Sequence, residues 1–335
     1  MIMNDACLHT GMERQEVPTD TGIEHQEVPT LALDDENLDM LARLHPHPLD
    51  ARVVMDPVAH KYFLDGEKTF PISVTGVWAS KFEKFDPEAC VNKYFVGWSS
   101  SPSNKYFQLI QYLKIRAQKT DDEIKTEIMA FWNDNGNLQS NLGTHMHLQI
   151  ERALNELPYE DNTPEMTMYH TFFKVEIGGR GWKPYRTEWS VFDEEAMVAG
   201  QIDSVFVDAD GGLHMVDWKR CKDKLTPAMK SYRNRRGYGL CSHLLDTSYN
   251  HYCVQQNLYK YILQKNYGVH LRSMHLAQFH PNFSEYNFVA VDDMQPLAQA
   301  LIAEHKPNGA SPKYSEQYNL QNPENATIIT LLNLL

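Results

Sequence analysis

The stretch MVAGQIDSVFVDADGGLHMVDWK, residues 197–219, decides the predicted fold. Its two apolar runs flank DADGG at residues 208–212, a combination of residues that is typical of a tight turn between strands. A third apolar run, YRTEWSVF at residues 185–192, precedes them and also has the composition of a strand. We therefore expect three consecutive strands, of which the last two form a hairpin.

Two acids and a lysine lie on this predicted hairpin. Asp217 and Lys219 are two residues apart, so on a strand their side chains share a face, while Trp218 points to the other face. Cross-strand pairing can bring Asp203 beside Asp217. Because adjacent carboxylates repel each other, a divalent cation is the usual reason for a fold to tolerate them. The hairpin is therefore a candidate metal site.

Such a site suits phosphodiester hydrolysis, which needs an activated water, neutralised phosphoryl oxygens and help for the leaving oxygen. The ammonium of Lys219 could orient the attacking water or stabilise the pentacovalent phosphorus as a compact point charge. Taken alone, an acid and a lysine on an exposed strand are often no more than an ordinary ion pair. Asp203 on the neighbouring strand favours the catalytic interpretation.

The rest of the chain surrounds these strands with helices. Residues 53–75 alternate around Asp65-Gly66 like a hairpin, and residues 86 to about 155 have helical spacing. After the central strands, we predict a helix at residues 250–268, strands at 275–280 and 286–291, and a helix at 294–305. This order indicates an α/β fold with a mixed central β-sheet flanked by helices and an N-terminal helical insert.

The predicted organisation has four parts. Residues 1–36 form a flexible acidic tail, 37–142 a hairpin and helical region, 143–305 the sheet-containing core, and 306–335 a C-terminal tail. The five cysteines have no CxxC spacing, so we expect reduced thiols. No apolar run reaches the length of a membrane span and no secretory signal is evident. We expect an intracellular protein, in the cytoplasm or the nucleus, with no membrane partner.

Positive charge is concentrated in one segment of a chain whose formal net charge is -13. Residues 219–236, KRCKDKLTPAMKSYRNRR, contain eight lysines and arginines against one acid, Asp223. Such a block can simply solvate a surface, but beside a phosphodiester site it could bind the nucleic-acid backbone. The candidate substrate contacts in it are Arg220, Arg233, Arg235 and Arg236.

Four motifs resemble the PD-(D/E)XK nuclease superfamily, and within it the branch with the RecB nuclease domain and CRISPR adaptation nucleases. The branch's GxxxH motif is matched by GTHMH at residues 143–147, and its acid-bearing strand by AGQID at residues 199–203. The DxK motif is matched by DWK at residues 217–219, and the QxxxY helix by QQNLY at residues 255–259. All four occur in the order of that family.

The resemblance implies a role for each matched residue. His147, Asp203 and Asp217 would ligate Mg²⁺ or Mn²⁺, with the carbonyl of Trp218 as a further ligand, and Lys219 would be catalytic together with the two acids. Other residues would assist: Glu188 as a supporting catalytic acid, and Gln255 and Tyr259 as substrate contacts. His145 lies two residues before His147 and on a helix points in another direction, so we expect it to be structural. Some members of the branch bind an iron–sulfur cluster through one cysteine before these motifs and three after the QxxxY helix. No cysteine follows Cys253 here, so we expect no such cluster.

By this resemblance the protein is a metal-dependent nuclease of DNA, acting as an exonuclease on ends or single strands. Two alternatives stay open: an endonuclease with the same catalytic core, which could act on RNA, and a catalytically silent module that binds nucleic acid. DNA is favoured over RNA as the partner.

Overall fold

The computed structural model describes residues 38–306. The predicted N-terminal tail, residues 1–36, lies outside the described residues, and so does the predicted C-terminal tail, residues 306–335, apart from its first residue. The described chain divides into two compact units. One contains residues 38–83 and 145–306, and the other contains residues 84–144. The boundary falls between Thr144 and His145, inside a single long helix.

The first unit begins with a short helix and a small antiparallel sheet. Helix α1 covers Met40–Leu44, and strands β1, β2 and β3 cover Val53–Asp56, Lys61–Leu64 and Lys68–Thr69. The turn between β2 and β3 contains Asp65 and Gly66, both with positive φ, of 52° and 76°. The hairpin predicted around this dipeptide is therefore confirmed.

A six-stranded mixed sheet forms the centre of the same unit. Its strands are β4 Ile72–Ser73, β5 Lys183–Asp193, β6 Val198–Val207, β7 Leu213–Lys219, β8 Leu271–Gln278 and β9 Asn287–Ala290. The order is β4-β6-β7-β8-β9, with β5 along β6. Strands β6 and β7 are antiparallel whereas β7 and β8 are parallel, which makes the sheet mixed.

Helices of the first unit cover this sheet. They are α2 Val74–Ala79, the end of α5 Asp121–Leu154, α6 Pro164–Phe172, α7 Ser248–Ile262 and α8 Gln295–Ala303. Strand β7 alternates between two hydrophobic cores: Met215 belongs to a core with α2, α7 and α8, and Trp218 to a core with α5 and α6. Each large side chain buried in this way contributes about 1.5–3 kcal/mol. The predicted mixed sheet flanked by helices is confirmed.

One segment differs from its prediction. Ile72 and Ser73 do not continue the hairpin around Asp65-Gly66, because they leave it to pair in parallel with the start of β6. The side chain of Ser73 then accepts a hydrogen bond from the Gly76 amide and caps α2. A serine in this position satisfies an amide at the start of a helix, so it ends the strand after two residues.

The second unit consists of helices α3 Pro87–Ser100 and α4 Phe107–Ile115 and the first part of α5. Asp86 caps α3 by accepting from the Ala89 amide. These helices bury a core of their own, made of Val91, Phe95, Trp98, Ile110, Leu113, Ile124 and Ile128. Among the described residues of the chain, no helix combines the length and the apolar character that crossing a membrane requires.

Candidate functional site

Residues from four elements of the first unit converge at one place. His147 lies on α5, Glu188 on β5 and Asp203 on β6, while Asp217 and Lys219 lie on β7. Their convergence follows from the sheet, since β5 and β7 both pair with β6. A nitrogen of His147 and one carboxylate oxygen from each of Glu188 and Asp203 lie within 4.8 Å of one another.

Asp217 is buried and both of its oxygens have partners. Oδ2 lies 2.5 Å from Nζ of Lys219, and Oδ1 accepts a hydrogen bond of 2.8 Å from Nε2 of Gln256. Asp203 is held next to it, because its Oδ2 accepts a 2.8 Å hydrogen bond from the Trp218 amide. The sequence-predicted juxtaposition of Asp203, Asp217 and Lys219 is thus present.

Burial and mutual repulsion make these carboxyl groups unusually basic. Burial first, and then the charge of Asp203, raise the pKa of Asp217 to about 7, although Lys219 opposes this shift. Burial also raises the pKa of Asp203, and burial followed by the charge of Asp203 raises that of Glu188. The three carboxyl groups therefore outnumber the one ammonium of Lys219, and a bound cation would supply the missing positive charge.

His147 is neutral and oriented for ligation. Burial and then the nearby Lys219 charge lower its pKa to about 4. Its Nε2 lies 3.0 Å from the Trp218 carbonyl, an acceptor, so Nε2 carries the proton. Nδ1 then presents a lone pair 3.6 Å from Oδ2 of Asp203. A neutral imidazole beside carboxylates, oriented through its other nitrogen, fits a divalent cation such as Mn²⁺ or Mg²⁺.

Glu188 has a strained backbone. Its φ is 42°, in the left-handed region, although it lies inside β5. The pairing of β5 with β6 runs through Thr187 and Trp189 but not through Glu188, whose carbonyl instead accepts a 3.0 Å hydrogen bond from Gln201. A conformation of this kind costs about 1–3 kcal/mol and often occurs at functional sites. It strengthens the assignment of Glu188 to this site.

Helix α7 closes the site with a polar stripe. Tyr259 is buried, and the carboxylates of Asp203 and Asp217 contribute to raising its pKa, after the effects of burial and of Tyr62. Gln255 opposes this rise in the pKa of Tyr259, and its Nε2 donates a 3.4 Å hydrogen bond to Oγ1 of Thr75. The sequence-predicted pair therefore shares one face beside the site.

Two α7 residues at the site had not been predicted. Gln256 is fully buried and donates to Asp217, and the ring of Tyr252 lies 4.4 Å from Nζ of Lys219. A signal was available, because positions 252, 256 and 259 follow the helical spacing of four and three residues that puts side chains on one face. Gln256 and Tyr252 hold the Asp217–Lys219 pair from the helix side.

The remaining predicted residues are placed as follows. The Trp218 carbonyl accepts a hydrogen bond from His147, and Nε2 of His145 lies 3.4 Å from Oε2 of Glu160. Arg220 forms a buried ion pair with Glu165. The other predicted arginines of the basic block, Arg233, Arg235 and Arg236, lie in the loop before α7.

Gly200, in the AGQID motif, allows Tyr259 to pack against β6. A Cβ at Gly200 would lie 2.7 Å from Cε1 of Tyr259 and 3.0 Å from Val74. Gly200→Ala should therefore lower the free energy of unfolding by about 1–3 kcal/mol, as overpacking does. Urea denaturation measures this loss.

Gly143→Ala is the matched control, because a Cβ at Gly143 has nothing within 4 Å among the described residues and the position is helical. Alanine is the better helix former, so this variant should gain up to about 1 kcal/mol. Equal stabilities of the two variants would contradict the close approach at Gly200.

No family model matches the chain, and no curated protein matches it. A functional assignment therefore depends on the geometry of the site and on its motifs.

Proposed function

We propose that the protein is a metal-dependent nuclease of the PD-(D/E)XK type that hydrolyses phosphodiester bonds in DNA. The observation that carries the proposal is the cluster of His147, Glu188 and Asp203, whose ligand atoms lie within 4.8 Å of one another. It is adjacent to the buried Asp217–Lys219 pair on β7. Acids, an imidazole and a lysine together are the groups that this hydrolysis needs.

The donor set indicates how a cation would be held. His147 and Asp203, with Glu188 or Asp217, would bind Mg²⁺ or Mn²⁺, which when bound activates a water and neutralises phosphoryl oxygens. His147 contributes a neutral nitrogen, because its pKa is lowered to about 4. Its hydrogen bond to the Trp218 carbonyl keeps the ring from rotating.

The chain's own cation is Lys219. Its side chain is 8% exposed and is held between Asp217 and the ring of Tyr252, so its ammonium is fixed in a region of low dielectric constant. A fixed ammonium stabilises the negative charge that develops on phosphorus oxygens at little reorganisation cost. Gln256 keeps Asp217 in position and so limits the orientations open to Lys219.

The finer features of the proposal come from the resemblance. The helices of residues 84–144 would be the insert that precedes the PD-(D/E)XK core, and action on ends or single strands would make the enzyme an exonuclease. The expected partner is DNA.

Incubation with end-labelled linear DNA, closed circular DNA and RNA, each with Mg²⁺, Mn²⁺ or EDTA, tests this function. We expect linear DNA to be shortened from its ends with either metal, and no reaction in EDTA. Cleavage of the closed circle would instead assign an endonuclease, and preferential loss of RNA would assign a ribonuclease. Binding without cleavage under every condition would contradict the enzyme and leave a nucleic-acid-binding module.

A further inference from the structure

The loop at residues 231–236 contains two consecutive residues in a left-handed conformation. Arg233 has φ of 53° and Asn234 has φ of 55°. This region is uncommon for residues other than glycine, and it persists only where the surrounding structure holds it, often where a ligand is contacted. The loop is therefore a fixed feature that displays particular side chains.

The side chains displayed are an aromatic ring and a guanidinium. Tyr232 is 40% exposed, and the guanidinium carbons of Arg233 and Arg235 lie 5.1 and 5.8 Å from its ring centroid. Arg233 is exposed and forms no salt bridge with any residue between positions 38 and 306. Its guanidinium is therefore at the surface of the described part of the chain, against the ring of Tyr232.

The two following arginines have internal roles instead. Arg235 donates a 3.1 Å hydrogen bond to Glu83 and lies 3.5 Å from Oδ2 of Asp246. Arg236 donates a 2.5 Å hydrogen bond to the carbonyl of His243. These contacts hold the loop in place. Arg235 and Arg236 are thus engaged within the protein, and the arginines of the basic block are not equivalent.

The loop is also fixed relative to the candidate site. A Cβ at Gly237 would meet the Cys241 carbonyl oxygen at 2.7 Å, which shows how closely the chain packs there. Asp246 forms an ion pair of 3.5 Å with the loop's Arg235 and accepts a 2.9 Å hydrogen bond from His251 on α7. His251 precedes Gln256 by five residues, roughly 7 Å along the helix axis.

We propose that Tyr232 and Arg233 contact an unpaired DNA strand, the ring stacking on a base and the guanidinium binding a phosphate, while Arg235 and Arg236 hold the loop. This inference rests on the proposed nuclease function. A stacking tyrosine needs the face of a base, which an unpaired strand offers and a duplex conceals. In a chain of net charge -13, a phosphate contact requires local positive charge such as this loop provides.

The test uses the full chain in EDTA, which prevents cleavage, and fluorescence anisotropy of a labelled 20-nucleotide single strand and of its blunt duplex. Tyr232→Leu removes the ring, and Arg233→Asn removes the charge with a residue that tolerates the left-handed region. Tyr159→Leu is the aromatic control, since Tyr159 is 38% exposed and lies outside the basic block. Arg43→Asn is the charge control.

Tyr232→Leu should weaken single-strand binding by about tenfold and leave duplex binding unchanged, because one stacked base is lost. Arg233→Asn should reduce the dependence of log affinity on log salt by about 0.7 for single strands, the value for one phosphate contact. Both control variants should bind like the wild type.

Suppose that the wild type binds single strands and that both loop variants keep its affinity and its salt slope. That result would overturn this inference and leave the nuclease proposal intact. Equal weakening of duplex and single-strand binding by Tyr232→Leu would overturn the stacking assignment. Failure of the wild-type protein to bind either DNA in EDTA would overturn this inference, whereas the metal-dependent cleavage assay decides separately whether the protein is a nuclease.

Discussion

Replacement of Lys219 by methionine is expected to lower the rate of DNA cleavage by about a hundredfold or more, the scale for removing one preorganised electrostatic group. The ammonium lies 2.5 Å from Asp217 and 4.4 Å from the ring centroid of Tyr252, so its position is set before substrate arrives. Methionine keeps the length and packing of the side chain without its charge. Initial rates on end-labelled linear DNA with saturating Mn²⁺ measure the effect.

The same variant should still bind DNA in EDTA with nearly wild-type affinity. Loss of the lysine leaves Asp217 buried without its cation, but a pKa already raised to about 7 lets that carboxyl take a proton instead. Lys222→Met is the control, because Lys222 belongs to the same basic block and is not among the residues that converge at the site. Metal-dependent cleavage at the wild-type rate by Lys219→Met would make Lys219 only a structural partner of Asp217.

The core of this site could be predicted because a local turn sets its register. Oδ1 of Asp208 accepts hydrogen bonds from the amides of Asp210 and Gly212, which fixes the turn between β6 and β7. The turn sets the register of the two strands, in which Ser204 pairs with Val216. The next residue outward on each strand is Asp203 and Asp217, so the two acids are neighbours. Short-range turn chemistry and the two-residue period of a strand were sufficient for this prediction.

The α7 contacts depend on information that the motif does not contain. The QxxxY pattern indicates Gln255, yet the hydrogen bond to Asp217 comes from Gln256. Neighbouring positions on a helix differ by about 100° in direction, and only the packing of α7 against the sheet decides which of them faces β7. The sequence predicts a polar stripe here, but it does not predict which glutamine is in contact with the acid.

The arginines of the basic block illustrate a second limit. Arg233 and Arg235 contribute equally to a count of charges in the sequence. In the structure, however, Arg235 is paired with Glu83, which is 152 positions away in the sequence. Arg220 is similarly paired with Glu165. Charge counting locates a basic segment, whereas long-range pairing determines which of its charges remain at the surface.

The acids of the site are expected to destabilise the fold in the absence of metal. The ordinary pKa values of Asp and Glu are 3.8 and 4.5, and burial raises those of Asp203, Asp217 and Glu188 above them. A carboxyl whose pKa is raised on folding contributes stability that is present below its unfolded value and is lost as pH rises through its folded value. For Asp217 this loss covers the range from about 4 to about 7.

Asp203→Asn should therefore raise the melting temperature in EDTA at pH 8 and abolish the increase that Mn²⁺ gives the wild type. The asparagine side chain carries no charge, and its oxygen can still accept the hydrogen bond from the backbone N–H of Trp218. It is, however, a weaker ligand for a hard cation than a carboxylate is. A ligand at one hundred times its Kd adds about 2.7 kcal/mol. In a protein of this size, that corresponds to a rise in melting temperature of roughly 4–5 °C.

The wild-type increase should be larger at pH 8 than at pH 5.5, because protons on the raised carboxyl groups compete with the cation. Glu188→Gln should lose more of the increase than Asp217→Asn, since Lys219 and Gln256 already occupy the oxygens of Asp217. Asp161→Asn, at an exposed position outside the site, should keep all of it. An unchanged Mn²⁺ effect in Asp203→Asn at pH 8 would exclude Asp203 as a ligand and, with it, this cluster as the metal site.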